Sequence, residues 1–241
     1  MDLLELESGV NPEKHWYYQS KKIPLIKYIK HILQKQESVI LIDFGSGSGF
    51  FALEAERYFG NRIKEVLLID INYTDKEIED TNNLKIKKRR EIPHVIENSI
   101  VVMMDVLEHI ENDVSTLVTI KKSCKGDANY FFITVPAFHS LWSGHDVYLG
   151  HFRRYTIKSL TTVLKNAFFK PQRFYYLYGI YFPVAFFVRK LNNLQHKKAV
   201  SNMKQINPFV NSILLRLAVV EMKITERNKL FGISCTAYGK I

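Results

Sequence analysis

The first residues whose spacing could do chemistry are Asp43-Phe44-Gly45-Ser46-Gly47-Ser48-Gly49. Glycines alternating with small residues let the backbone approach a ligand closely, because a Cβ would block that approach or a positive φ. A short apolar, β-branched run up to Ile42 reads as a fully buried parallel strand, and Phe50-Phe51-Ala52-Leu53-Glu54-Ala55 reads as helix. Strand, glycine turn and helix together present backbone N–H groups to a nucleotide-like ligand. The pyrophosphate pattern G-x-G-x-x-G fails, since its third glycine falls on Phe50. Asp43 at the strand's end would repel a pyrophosphate but suits a cationic ligand. A second apolar run, Val66-Leu67-Leu68-Ile69, ends in Asp70. An acid at this distance after a glycine turn accepts hydrogen bonds from ribose hydroxyls.

A denser group of reactive side chains follows the apolar run Tyr130–Val135. The loop from Pro136 to Thr156 holds His139, Trp142, His145, Asp146, His151, Arg153, Arg154 and Tyr155. Ligands of open α/β sheets sit outside the carboxyl ends of the strands, so this loop should overhang the bound ligand. Imidazole has a suitable ordinary pKa for a general base, with His145 the first candidate and His109 or His151 the second. Arg153 and Arg154 could hold a phosphate or carboxylate with a planar fork of donors. Trp142, Asp146 and Tyr155 complete the expected substrate-binding set. The plain alternative is a loop held together by structural hydrogen bonds. His139, His145, Asp146 and His151 have neither a cysteine partner nor helical spacing, so no metal is expected.

The elements that must position these residues alternate. A helix is expected over Ile23–Gln34, a capped one from Tyr73 to Asp80, and others over Glu111–Ser123 and Ile157–Phe168. Between them Ser99–Asp105 and Arg173–Tyr178 read as strands, and Gly232–Tyr238 as the last strand. The third strand is weak: Leu84-Lys85-Ile86 alternates and then runs into Lys87-Lys88-Arg89-Arg90. The pattern predicts an α/β chain with a doubly wound sheet.

The glycine pattern, Asp70 and Asp105-Val106-Leu107-Glu108-His109-Ile110 resemble the Rossmann-like (class I) S-adenosylmethionine (AdoMet)-dependent methyltransferases. Within that family they are most similar to enzymes acting on quinones, lipids and other small molecules. The resemblance covers residues 36–178 and 231–240. It implies a seven-stranded mixed sheet whose last strand is antiparallel, with a helical insertion before that strand. The expected division is an N-terminal helical cover (1–35), an AdoMet-binding core (36–178), a basic and apolar helical insertion (179–230) and a final strand completing the core (231–241). It also implies AdoMet contacts at Asp43, Gly45, Ser46, Gly47, Gly49, Asp70, Ile71, Asp105, Val106 and Leu107. The stretch His15-Trp16-Tyr17-Tyr18 is similar to an aromatic cover that some of these enzymes place over the cofactor. The chain departs from the family after its third strand, where no acid matches the one that usually holds the adenine amino group. Two classes drop out: the Asn/Asp-Pro-Pro-Tyr/Phe motif of amino-directed enzymes is missing, and neither Cys124 nor Cys235 is placed as the nucleophile of a cytosine carbon-5 enzyme.

At 241 residues, with 46% apolar and 24% charged positions, the chain is long enough to bury a large core. Its net charge of +10 is uneven, because residues 151–241 hold only Glu221 and Glu226 as acids against 16 Lys and Arg. Such a half should meet something anionic, either nucleic acid or a membrane surface. Ile180–Leu194 and Pro208–Glu226 are apolar helices interrupted by Pro183, Arg189, Lys190 and Arg216, too short to span a bilayer of roughly 20 residues' depth. They fit interfacial helices on anionic lipid, or a helical cap burying its apolar face. The acidic start Met1-Asp2-Leu3-Leu4-Glu5 carries no signal peptide. The expectation is a cytoplasmic enzyme, peripheral on the inner membrane face, that O-methylates a small-molecule, lipid or lipid-linked glycan acceptor. An RNA methyltransferase and a non-catalytic AdoMet-binding protein are the alternatives.

Overall fold

A computed structural model describes residues 9–82, 84–194 and 206–241. The acidic start at residues 1–8 and the middle of the expected insertion, 195–205, lie outside the described residues. Seven strands form one sheet: β1 (Val39–Phe44), β2 (Ile63–Ile69), β3 (Ile86–Arg89), β4 (Ser99–Met104), β5 (Asn129–Pro136), β6 (Lys170–Leu177) and β7 (Ser234–Lys240). Their order is β3-β2-β1-β4-β5-β7-β6. The first five run parallel, and β7 is antiparallel to both β5 and β6. This is the expected doubly wound mixed sheet. The order reverses between β1 and β4, which opens a crevice at the carboxyl ends of these two strands.

The continuous apolar runs are buried on both faces, as a parallel sheet requires. Ile42, Leu67, Val101 and Ile133 face one core, which α4 (Asp113–Ser123) and α6 (Ile157–Asn166) cover with Leu117, Ile120, Leu160 and Leu164. Their neighbours Leu41, Val66, Leu68, Val102 and Phe132 face the other core. That side is covered by α1 (Trp16–Leu33), through Leu25, Ile29 and Ile32, and by α2 (Phe50–Phe59), through Ala52 and Ala55. The split follows the period-two alternation of strand side chains.

Several boundaries differ from expectation, each for a local reason. Helix α1 begins at Trp16 rather than Ile23, because its first turn is capped from two sides. The His15 ring accepts from the Tyr17 N–H at 3.4 Å, and the Asn211 side chain accepts from the Trp16 N–H at 2.9 Å. The aromatic stretch is therefore helix, with Tyr17 stacked on Tyr178 at 5.4 Å between ring centroids. Helix α3 (Asp75–Thr81) starts after Thr74, which forms a reciprocal capping box with Glu77. The weak third strand is the edge strand β3, which starts at Ile86 and takes in the basic residues Lys87, Lys88 and Arg89. Lys87 and Lys88 are each paired, with Glu65 at 3.1 Å and Glu77 at 2.7 Å, and lysines on an edge discourage pairing with another sheet.

Between β6 and β7 lie α7 (Phe182–Leu194) and α8 (Pro208–Ile224), while a five-residue helix, α5 (Gly144–Tyr148), interrupts the loop after β5. Helix α8 buries Ala218, Glu221 and Met222 against Tyr175, Leu177 and Tyr178. Its other side exposes Phe209, Val220 and Ile224. No described helix is long and apolar enough to cross a membrane.

Candidate active site

The glycine turn is set by backbone constraint. Gly45, Gly47 and Gly49 have φ of +71°, +52° and +76°, a region that penalises any side chain. A Cβ on Gly45 would also stand 2.6 Å from Val106 Cγ1, and one on Gly49 would stand 2.8 Å from Leu68 Cδ1. The N–H groups of Gly45 and Ser46 donate to the Ile69 carbonyl at 2.8 and 3.0 Å, which pins the turn to the end of β2. Tyr73, absent from the sequence-based set, holds it from below: its hydroxyl donates to the Gly47 carbonyl at 2.8 Å and lies 2.8 Å from Ser46 Oγ. Asp70 is buried, and its carboxylate accepts from the Gly47 N–H at 2.9 Å and from the Asn72 N–H at 3.0 Å.

Two cavities flank this turn and share Gly45, His109 and Leu149. The first, about 820 Å³ counting its open mouth, is walled by Asp43, Ser46, Asp105, Glu108, His145, His151, Arg154 and Arg189. The second, about 1110 Å³ on the same measure, is walled by Ile69, Asp70, Ile71, Val106 and Arg90. Arg90 stands where the family's acid after the third strand would be. Its Nε donates to the Tyr73 carbonyl at 2.6 Å, and Nη1 pairs with Asp75 at 2.8 Å. Leu107, expected among the cofactor contacts, lines neither cavity; it is fully buried in the core, because the turn after β4 points it inward.

Asp105 has φ +56°, a left-handed conformation uncommon for a residue with a side chain. Its Oδ2 pairs with the Lys21 ammonium and accepts from the Tyr17 hydroxyl at 3.1 Å, and Oδ1 accepts from Thr134 Oγ1 at 3.2 Å. Lys21 is fully buried and was not singled out. Its signal was available: it falls on the stripe Tyr18, Leu25, Ile29 and Ile32, a charge where the helix is otherwise apolar. A buried ammonium needs a buried partner.

The overhanging loop is organised by Asp146, which is fully buried. Its carboxylate accepts from His151 Nδ1 at 2.9 Å, from Arg154 through Nε at 2.7 Å and Nη2 at 3.1 Å, and from the Ser143 N–H at 2.9 Å. Burial pushes this carboxyl up, but the His151 hydrogen bond and the Arg154 charge outweigh it, so Asp146 stays ionised well below the usual carboxylate range. Arg189 reaches in from α7, donating to the Leu141 carbonyl at 2.7 Å with its guanidinium 4.0 Å from Asp146. Burial and the Arg154 charge lower Arg189 to about 10. Burial and the nearby Arg189 lower His145 to about 4; burial and His151 do the same to His109. Both imidazoles are therefore neutral at pH 7. Burial, with the Asp105 charge beside it, raises Glu108 well above the ordinary carboxyl range.

Three expected substrate contacts are corrected by these packings. Arg153 faces away from both cavities and pairs with Asp113 at 3.1 Å. Tyr155 is buried and donates to Asp113 at 2.7 Å. Trp142 lines neither cavity and packs against His139 at 5.5 Å. Asp146 reaches the cleft only through His151 and the arginines it holds.

A family model for a methyltransferase domain matches residues 16–172. No curated protein sequence matches the chain. Among solved structures, an AdoMet-dependent methyltransferase from Archaeoglobus fulgidus is 17% identical over 99% of this chain and 98% of its own, with a TM-score of 0.54. A methyltransferase solved in complex with a methyltransferase activator of Haloferax volcanii is 13% identical over 99% and 94%, also at 0.54. A Burkholderia thailandensis protein bound to S-adenosyl-homocysteine is 12% identical over 95% and 78%, at 0.57. At these identities the likeness to solved structures is one of fold. The family match spans helix α1, the glycine turn and the loop after β5, and with it the chain belongs to the methyltransferase-domain family, as a class I, AdoMet-dependent methyltransferase.

Proposed function

We propose that the chain O-methylates a lipid or lipid-linked acceptor while resting on an anionic membrane surface, peripheral to its inner face. The observation that carries this reading is helix α7, which serves the cleft and the surface at once. Arg189 walls the first cavity, while Val184, Phe187, Val188 and Leu191 on the same helix are 50–67% exposed. Lys190 stands among them on α7, and helix α8 adds exposed Phe209 and Val220 with Arg216 and Lys223 interspersed. Large exposed apolar side chains among lysines and arginines are what a headgroup-level surface selects. A lipid held there would enter beside Arg189.

The cleft fits a cationic cofactor: positive-φ glycines leave room for a close backbone approach, and Asp43 is an acid in the wall. Bound there, AdoMet would supply an electrophilic methyl group for transfer to the acceptor oxygen. The glycine turn, Asp43, Asp70, Ile71 and Val106 hold the cofactor in this reading. Neutral His145 takes the acceptor's hydroxyl proton. Arg154 and Arg189 bring two positive charges to the single Asp146 carboxylate, which leaves one positive charge for a phosphate on the acceptor.

Co-sedimentation with vesicles, with and without anionic lipid, tests the surface. Binding to anionic vesicles that falls when Phe187 and Leu191 are both changed to Ser supports the lipid reading. Absence of vesicle binding, with salt-sensitive RNA binding at matched ionic strength, would instead favour an RNA acceptor through the basic half. Near-full turnover in His145→Ala with AdoMet affinity intact would remove the base assignment.

A further inference from the structure

Glu108, His109 and His151 meet in the wall of the first cavity, and one ligating atom from each lies within 4.8 Å of the others. Glu108 and His109 come from the turn after β4 and His151 from the overhanging loop. The loop is tied down at this point by the Phe152 N–H, which donates to the Glu108 carbonyl at 2.7 Å. Glu108 is fully buried and neither of its carboxyl oxygens has a hydrogen-bond partner; His109 Nε2 is buried without one as well. Buried polar atoms are almost always satisfied, so three orphaned atoms in one cavity wall point to a ligand.

The imidazoles are already oriented for one. His151 Nδ1 donates to Asp146 at 2.9 Å, and the ring nitrogen of His109 that is buried without a partner is Nε2. The bonded nitrogen of His151 carries the proton, so its Nε2 keeps its lone pair. Histidines that bind metals are held in this way, the other ring nitrogen donating to a carboxylate or a backbone carbonyl.

We propose that Glu108, His109 and His151 bind a divalent first-row cation, with zinc the best match to two imidazole nitrogens and one carboxylate oxygen. Zinc holds such donors at about 2.0–2.1 Å, roughly 3.3 Å from one another, so the three groups draw together by at most about 1.5 Å. Glu108 binds as its carboxylate. The remaining coordination position opens into the cavity beside His145. Resting on the methyltransferase reading, that position takes the acceptor's hydroxyl oxygen. Its O–H bond then breaks with the electron pair left on oxygen, and the proton goes to His145, which is not a ligand.

The binding itself is tested without turnover, by titrating the metal-stripped full chain with cobalt(II) and following its visible absorption. The expected result is a single site with the strong bands of a low-coordinate ion, discharged by zinc. His109→Ala and His151→Ala should each weaken it by about tenfold or more, while exposed His94→Ala leaves it unchanged. Glu108→Gln, which alters no ion pair of the fold, reads out the same loss should a histidine variant fail to fold. AdoMet binding is measured on the same samples. A cobalt site without AdoMet binding would overturn the methyltransferase reading and leave the metal site standing. AdoMet binding without cobalt bands, or cobalt affinity unchanged in the His109→Ala, His151→Ala double variant, would overturn the metal site.

Discussion

The turn between β1 and α2 and the loop between β5 and α6 stand at the same edge of the sheet and are built on opposite principles. The turn is held by backbone groups: positive-φ glycines, two N–H donors on the Ile69 carbonyl, and tyrosine and acid side chains reaching backbone atoms. The loop is held by polar and charged side chains, His151 and Arg154 from the loop itself and Arg189 from α7, gathered on the fully buried Asp146. A backbone-built surface offers one shape and suits a cofactor whose shape is constant. A charge-built one can be altered residue by residue and suits an acceptor that differs between related enzymes. The contrast also separates how each side fails: the first through sterics, the second through an uncompensated buried charge.

The largest expected effect is on the charge-built side. Asp146→Ala strands Arg154 and part of Arg189 in the interior and should cost about 3–5 kcal/mol of stability in urea unfolding. Adding Arg154→Met should restore part of that loss, since the charge left over is then removed. On the backbone-built side, Gly45→Ala must bear a left-handed φ and a contact of 2.6 Å with Val106. Its stability should fall less, but AdoMet affinity should drop by about a hundredfold, read by calorimetry. A drop of the same size in Asp146→Ala would erase the distinction.

Acid should act on the same side as Asp146→Ala. His145 is held neutral with its pKa at about 4, against 6.5 when unfolded, so the unfolded chain binds the extra proton between these values. Stability present above pH 6.5 is therefore lost as pH falls towards 4, by about 2 kcal/mol between pH 7 and 5 for this one group. Denaturation midpoints of His145→Gln should show a correspondingly flatter pH dependence. Tyr73→Phe removes one hydroxyl from under the glycine turn and should weaken AdoMet binding about fivefold, on the order of 1 kcal/mol. Smallest of all, Lys87→Ala on the edge strand breaks a half-exposed pair with Glu65 and should change stability by less than about 0.5 kcal/mol.

The donor side was legible because its chemistry is local. A glycine turn, the acid before it and the acid ending the next strand are contained in a short stretch, and their conformations follow from residue type. The acceptor side was only half legible. The loop's composition marked it, but not which of its groups face the cleft. Arg153 and Arg154 are the clearest case: on extended backbone, neighbouring side chains point opposite ways, so one meets Asp113 and the other Asp146. Either assignment fits the letters Arg-Arg. Glu108 lay inside a recognised motif, yet its orphaned carboxyl shows only when the loop closes over it.

By itself the sequence determined the sheet, the glycine turn, both strand-end acids and the family, because periodicity and positive-φ chemistry act between near neighbours. Only the tertiary structure decided that Lys21 pairs with Asp105, that Arg189 crosses from α7 to Asp146, and that Glu108, His109 and His151 share one wall. Those pairings join residues far apart in the chain. Their partners are chosen by burial, which forces each charge to find whichever opposite charge the packing brings within reach.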